Sequence, residues 1–262
     1  MSQPKNFIPV TVTRVIKNEV YQEQDNIVQE VPVTLFLNDK EFVTLVCSPQ
    51  YLKELAVGFL CSEGILQLAS DLYDITIDEE EGIIKVKAAA GEAEDKFMKR
   101  YITSCCGRGR SIFYFVNDAK SMSMIKSQIS VTPEQIWHLT SQLEDKSTLF
   151  KGTGGVHNAA LCTAADVLVF FEDIGRHNAV DKIFGHCFLN NIDMTDKILV
   201  FSGRISSEIL IKVAKMEVPI LVSRSAPTAL AIEMAEKLGL TVVGFARGNR
   251  MNIYCHPERI SL

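Results

Sequence analysis

The sequence is short of the features that would make its chemistry obvious. No two of its seven cysteines stand at a CxxC spacing, and none joins a histidine in a zinc-finger or zinc-deaminase pattern, so a dithiol redox pair and bound zinc are not expected. Basic residues are outnumbered, 27 Lys and Arg against 32 Asp and Glu, and the net charge of -5 supplies no general attraction for nucleic acid or an anionic membrane. No apolar stretch approaches the ~18 uninterrupted residues of a membrane span. Met1-Ser2-Gln3-Pro4-Lys5 leads into no apolar signal core, and together with the unpaired cysteines this predicts a reduced, cytoplasmic protein. What is present is an ordinary globular balance, 47% hydrophobic and 23% charged over 262 residues, enough for one or two packed domains. Two of the cysteines, Cys105 and Cys106, are adjacent.

From Val10 to Val46 β-branched and polar residues alternate, with Asn38-Asp39 as a turn, which predicts a hairpin-rich β start. Ser48-Pro49 reads as the cap and first turn of a helix in which Leu52, Leu55, Ala56, Phe59 and Leu60 recur at helical spacing, ending near Gly64. Ile75-Thr-Ile and Ile83-Ile-Lys-Val-Lys flank the acidic Asp78-Glu-Glu-Glu-Gly82 turn as a second hairpin with a solvated tip. Beyond a Ser-, Met- and Lys-rich stretch, Thr132-Pro133-Glu134 opens a helix carrying Trp137. The expected organisation is a smaller β-rich α+β region over residues 1–120 and a layered α/β domain over residues 121–262.

The second half repeats a unit of strand, Gly/Ser/Arg loop and helix. Val167-Leu-Val-Phe-Phe, Ile198-Leu-Val-Phe, Ile220-Leu-Val and Val242-Val-Gly each run into such a loop, which predicts a largely parallel sheet whose loops gather on one rim, where ligands bind. Arg176, Arg204, Arg224, Arg247 and Arg250 lie in these loops, with Ser206, Ser207, Ser223, Ser225 and Thr228 near the predicted helix starts. Solvated surface charge does not predict that recurrence. A site for a nucleotide or pterin phosphate does, because helix N-termini and arginine both favour phosphate.

Cys105 and Cys106 sit in Tyr101-Ile-Thr-Ser-Cys-Cys-Gly-Arg-Gly-Arg110, and from Lys96 to Asn117 there are five cations and no carboxylate. A basic island favours thiolate, so Cys106 is a candidate nucleophile, and Gly107 and Gly109 leave room for another molecule to reach its sulfur. Cys47, Cys61 and Cys187 stand in apolar contexts and read as packing residues. Lys151-Gly-Thr-Gly-Gly-Val-His-Asn158 matches neither a P-loop nor GxGxxG and specifies a tight turn. His157 and His177 each precede an asparagine and fit two readings, a hydrogen-bonded rim residue or a general acid–base. Asp173 and Asp181 likewise either orient those imidazoles or pair with Arg176 and Lys182.

Ser104-Cys-Cys-Gly107, Gly154-Gly-Val-His-Asn-Ala-Ala160, Glu172-Asp-Ile-Gly-Arg-His-Asn-Ala-Val-Asp-Lys182, Ser202-Gly-Arg-Ile-Ser-Ser207, Ser223-Arg-Ser-Ala-Pro-Thr228 and Gly244-Phe-Ala-Arg-Gly-Asn-Arg250 together resemble the FdhD/NarQ family, the formate dehydrogenase accessory sulfurtransferases. The resemblance implies a cytoplasmic homodimer with a cytidine-deaminase-like α/β domain lacking zinc. It implies that sulfur passes as a persulfide from a cysteine desulfurase to Mo- or W-bis(molybdopterin guanine dinucleotide), the bound substrate, for formate dehydrogenase, with GDP as a mimic of the nucleotide tail. The persulfide residue carries over to Cys106, and the cofactor-binding stretch to Phe245, Ala246, Arg247, Gly248, Asn249 and Arg250. Arg204, Ser206, Arg224 and Ser225 join them from the rim. Many members have a second cysteine three residues after the first, and here Gly109 occupies that position. The rival expectation is a non-catalytic chaperone that only holds the cofactor, which the arginine loops fit equally well.

Overall fold

Side-chain alternation builds a small sheet and uninterrupted apolar strands build a large one. The computed structural model describes residues 6–89 and 122–262. The N-terminal ribbon pairs β1 (Phe7–Ile16) with β2 (Glu19–Val28) through a two-residue turn in which Lys17 and Asn18 both have positive φ. The small sheet has the order β4-β3-β6-β5, with β3 Val31–Leu37, β4 Lys40–Cys47, β5 Leu72–Asp78 and β6 Ile83–Ala88. Val33, Leu35 and Leu37 alternate inward on β3 and meet Leu45 and Val43 across the pair.

Between β4 and β5 runs α1 (Leu52–Glu63), buried nearly all round because it lies between the small sheet and α4 (Arg176–Leu189). The two helices meet at glycine: a Cβ on Gly58 would lie 1.7 Å from the Asp181 carbonyl oxygen, and one on Gly185 would lie 1.9 Å from that of Glu54. Here the backbones touch and no side chain fits. One continuous core then spans Leu35 and Ile84 of the small sheet, Phe59 of α1, Ile183 of α4 and Leu199 and Phe201 of the large sheet.

The large sheet has the order β12-β11-β10-β9-β7-β8, formed by β7 His157–Cys162, β8 Val167–Asp173, β9 Ile198–Phe201, β10 Ile220–Ser223, β11 Thr241–Arg247 and β12 Arg250–Cys255. Its central strands β9 and β10 are buried at every residue, as strands covered on both faces must be. Helices α4, α5 (Ser207–Lys215) and α6 (Ala229–Leu238) cover one face, and α2 (Pro133–Lys146) packs Ile136, Leu139 and Leu143 on the other. A short α3 (Thr148–Thr153) follows α2.

Three expectations need correction. The sheet is mixed: β9, β10 and β11 are parallel, but β7 is antiparallel to both β8 and β9, and β12 is antiparallel to β11. The fourth unit has no helix, because β11 turns straight back into β12 at Gly248, whose φ of +54° suits glycine. Ser48-Pro49 does not cap α1, whose first turn follows Tyr51 in the left-handed region; the Ser48 hydroxyl is bound by partners far along the chain. The Thr132 cap and the helix carrying Trp137 are as predicted, as is the β5–β6 hairpin. The expected boundary at residue 120 lies outside the described residues.

The glycine contact generates a test. Gly185→Ala is expected to destabilise the protein by about 3 kcal/mol or more, because both clashing partners are backbone. Gly152→Ala, in helical backbone of α3 with open space around it, is expected to be neutral or stabilising by about 0.5–1 kcal/mol. Urea midpoints measure both.

Candidate functional site: the arginine and serine rim

Because β8, β9, β10 and β11 point the same way, their carboxyl ends share one edge, and β7, running against them, begins there with His157. The mixed sheet therefore still builds the rim expected of a parallel one. Its loops are held mostly by one another. Ser202 donates its N–H to the Asn158 carbonyl at 3.0 Å, and its hydroxyl accepts from the Asn158 N–H at 3.1 Å and lies 3.2 Å from His157 Nδ1. Gly203 packs closely against Arg176: a Cβ there would lie 3.0 Å from Arg176 Cβ and 3.1 Å from its Cδ, so the arginine would have to give way slightly. The Ser223 hydroxyl donates to the Gly203 carbonyl at 2.6 Å and accepts from the Ser225 N–H at 2.9 Å.

Several candidate ligands converge around β10 and β11. The Phe245 N–H donates to the Ser225 carbonyl at 3.1 Å, and Arg247 Nε donates to the Arg224 carbonyl at 2.8 Å. Arg224 reaches sideways to Glu144 of α2, 2.9 Å away, so part of its charge is already balanced. The Ala246 side chain packs in the core beneath α2. Ser206 caps α5 by accepting from the Ile209 N–H at 3.4 Å, and Thr228 caps α6 in the same way. Arg204, Phe245, Arg247, Gly248, Asn249 and Arg250 are exposed along the edge. Of the candidate binding residues, then, the exposed ones are those left to meet an anion, while Ser206 and Ala246 spend their side chains on the fold. Cys106 lies outside the described residues.

The histidines differ. His177 pairs with Glu208 of α5 at 3.2 Å. His157 has its pKa held below the usual imidazole value, chiefly by burial and secondly by the Arg176 guanidinium, so at neutral pH it is a neutral ring beside Ser202. All five described cysteines are buried. Burial pushes the Cys47, Cys162 and Cys187 thiols up to about 12 and the Cys255 thiol to about 11, and raises that of Cys61 as well, which bears out the packing role expected of Cys47, Cys61 and Cys187.

Beneath the rim lies a cluster that sequence reasoning missed. Asp173, at the end of β8, pairs with Lys182 at 2.7 Å, both side chains sealed from water. Its carboxylate also accepts from the Ser48 N–H (3.1 Å) and hydroxyl (2.9 Å), the Gly175 N–H (2.9 Å) and Asn178 Nδ2 (2.8 Å). Asn178 Nδ2 donates as well to the Val46 carbonyl at 2.9 Å. The small sheet is thereby tied to the loop that presents Arg176. Asp181 pairs instead with Lys212 of α5 and accepts from the Ser62 hydroxyl of α1 at 2.6 Å. Asp173 thus takes Lys182, one of the two cations expected to pair with these aspartates, but no sequence signal joins Ser48 to a carboxylate 125 positions away.

A model of the FdhD/NarQ family matches residues 28–261. The chain belongs to that family. Curated relatives include the sulfur carrier protein FdhD of Bacillus subtilis (strain 168), 48% identical over 251 residues that make up 95% of each chain. The protein of that name from Geobacillus kaustophilus (strain HTA426) is 48% identical over 241 residues, 91% of each. Among solved structures, a protein of Desulfotalea psychrophila assigned as a formate dehydrogenase accessory protein has a TM-score of 0.84 to this FdhD/NarQ chain. It is 25% identical, and the match covers 98% of this chain and 100% of that one.

The cluster around Asp173 predicts an asymmetry. Asp173→Ala leaves a buried ammonium unpaired and is expected to cost about 3–5 kcal/mol. Lys182→Met leaves a carboxylate that keeps its remaining hydrogen bonds, so its loss of stability is expected to be smaller. Urea unfolding of the two variants measures the difference, and the reverse order contradicts the assignment.

Proposed function

We propose that this FdhD/NarQ protein is a sulfur carrier. It takes the outer sulfur of a cysteine desulfurase persulfide onto Cys106 and hands it to Mo- or W-bis(molybdopterin guanine dinucleotide), its substrate, for formate dehydrogenase. The observation that carries this reading is the partition of the thiols. Five of the seven cysteines are buried with raised pKa values and are poor nucleophiles. The other two, Cys105 and Cys106, stand in a stretch with five cations and no carboxylate, where thiolate is favoured. Relatives 48% identical to this chain bear the name sulfur carrier protein.

In the loading step the Cys106 thiolate attacks the outer sulfur of the donor persulfide. An S–S bond forms on Cys106, the donor's S–S bond breaks, and the donor cysteine leaves as its thiolate, so sulfur moves without net oxidation. The cofactor is then held at the rim through its guanine nucleotide tails. Exposed Arg204, Arg247 and Arg250 suit their pyrophosphates, and Asn249 offers an amide to the guanine or ribose. GDP is the simple mimic of such a tail. A zinc-free, cytidine-deaminase-like layering and a cytoplasmic setting belong to the same reading; no helix among the described residues is long and apolar enough to cross a membrane.

Intact mass tests the carrier. Incubation with a cysteine desulfurase and cysteine is expected to add about 32 Da, one sulfur atom, removable by dithiothreitol. Cys105→Ala is expected to keep the gain and Cys106→Ala to lose it. A gain retained by Cys106→Ala overturns the assignment.

A further inference from the structure

The rim is longer than one nucleotide tail needs. Arg247 and Arg250 stand opposite each other at the tip of the β11–β12 hairpin, where Gly248 turns the chain. Arg176 stands elsewhere, its stem resting against Gly203 in the loop after β9. β10 lies between β9 and β11, so two strand intervals, roughly 10 Å or more, separate the two cationic centres. Ile205 and Pro227 form a bridge that ties the loop after β9 to the loop after β10. A pyrophosphate is too short to touch both centres, and one held by Arg247 and Arg250 leaves the β7–β9 end of the rim for another group.

That end is built to donate. Arg176 Nε is buried and has no hydrogen-bond partner among the described residues. Arg224, by contrast, has Glu144, and Arg247 donates to a carbonyl. A guanidinium partly withdrawn from water and left unpaired is costly, and an anion completes it. His157 stands beside it at the start of β7. The Ser202 hydroxyl accepts from the Asn158 N–H at 3.1 Å, which leaves its own proton for His157 Nδ1, 3.2 Å away. The imidazole, kept neutral by burial and by the Arg176 guanidinium, then carries its proton on Nε2 and offers a second donor. The acids of the neighbourhood are engaged, Asp173 by Lys182 and Glu208 of α5 by His177.

A guanidinium and an imidazole N–H on one ledge suit an anion that presents oxygen or sulfur acceptors. The substrate assigned to this rim has such a group at the end opposite its guanine tails. There dithiolene sulfurs and oxo or sulfido ligands surround the metal and leave it negatively charged. Laid along the rim with a nucleotide at β11 and β12, the elongated molecule brings that end toward β9 and β7.

We propose that Arg176 and His157 form a second subsite of the rim, which receives the anionic metal end of the substrate while Arg247 and Arg250 hold a nucleotide tail. The subsite rests on the reading of the rim as the place where the cofactor binds. Molybdate alone is the probe. The full-length protein is saturated with GDP, and bound molybdate is measured by equilibrium dialysis and elemental analysis in buffer free of phosphate and sulfate. The unmodified chain is expected to hold molybdate and GDP together. Arg176→Met, which keeps the stem against Gly203, is expected to weaken molybdate at least about 10-fold and GDP less than about 2-fold. His157→Phe, which keeps a ring and removes the donor, is expected to weaken molybdate about 5-fold. Molybdate that does not bind, that GDP displaces, or that binds Arg176→Met as tightly as the unmodified chain overturns the proposal. So does loss of both ligands in an Arg176→Met chain whose circular dichroism is retained, which would give Arg176 to the nucleotide. If Arg176→Met does not fold, His157→Phe decides, and unchanged molybdate binding by it overturns the subsite. Sulfur loading of Cys106, read by intact mass, is a separate observable: a chain that loads sulfur but binds no molybdate refutes the subsite and leaves the carrier standing.

Discussion

The Asp173 carboxylate and the Lys182 ammonium share a water-free interior, where each offsets the other's charge and the ammonium depends most on its partner. An ion pair of this kind is weak evidence for net stability, since an apolar pair of equal volume often folds as well. What it supplies is position. The same carboxylate receives the Ser48 N–H and hydroxyl from the end of the small sheet and the Gly175 N–H and Asn178 amide from the start of α4. Moving either sheet relative to the other would strand these donors in a dry interior, at a cost of about 1–3 kcal/mol for each one left unpaired. The close contact of α1 and α4 at Gly58 and Gly185 depends on the same registration, and the second buried pair, Asp181 with Lys212, fastens α4 to α5 and to Ser62 of α1.

The rim inherits its geometry from that arrangement. Its serines and backbone groups bind one another, from Ser202 with Asn158 to Ser223 with Gly203 and Ser225, so the loops are set before any ligand arrives. A preformed site loses little ordering entropy on binding. The side chains left over are cationic and exposed, Arg204, Arg247 and Arg250 foremost, in a protein whose net charge is negative. Such local inversion of charge suits a nucleotide bearing a pyrophosphate without attracting polyanions in general.

How much was legible in the sequence depended on the range of the interaction. Alternation at Val33, Leu35 and Leu37, the Thr132-Pro133 cap and the hairpin around Asp78–Gly82 are local, and they were read correctly. The rim was legible because each of its loops follows an apolar strand, even though the direction of β7 and the helix-free return of β11 were not. Both depend on pairing between strands, which a single strand's pattern does not encode. Ser48 was misread for the same reason. Beside proline it carries a local signature of helix capping, but its hydroxyl is taken by Asp173, 125 positions away. Gly58 and Gly185 gave no signal at all, since glycine at a helix crossing looks like any other weak helix former. The family was legible from six ordered blocks spread along the chain, which survive errors in any one element, and the match over residues 28–261 shows the membership.

The central claim is that Cys106 works chemically and that the protein does more than hold a cofactor. The direct measurement is formate dehydrogenase activity in a host lacking its own accessory protein, supplied with either the unmodified chain or Cys106→Ala. Binding of GDP to both purified proteins serves as the control for an intact rim. The account predicts that Cys106→Ala binds GDP as the unmodified chain does and restores no activity. Full activity with Cys106→Ala would contradict it and leave a cofactor-holding chaperone in its place.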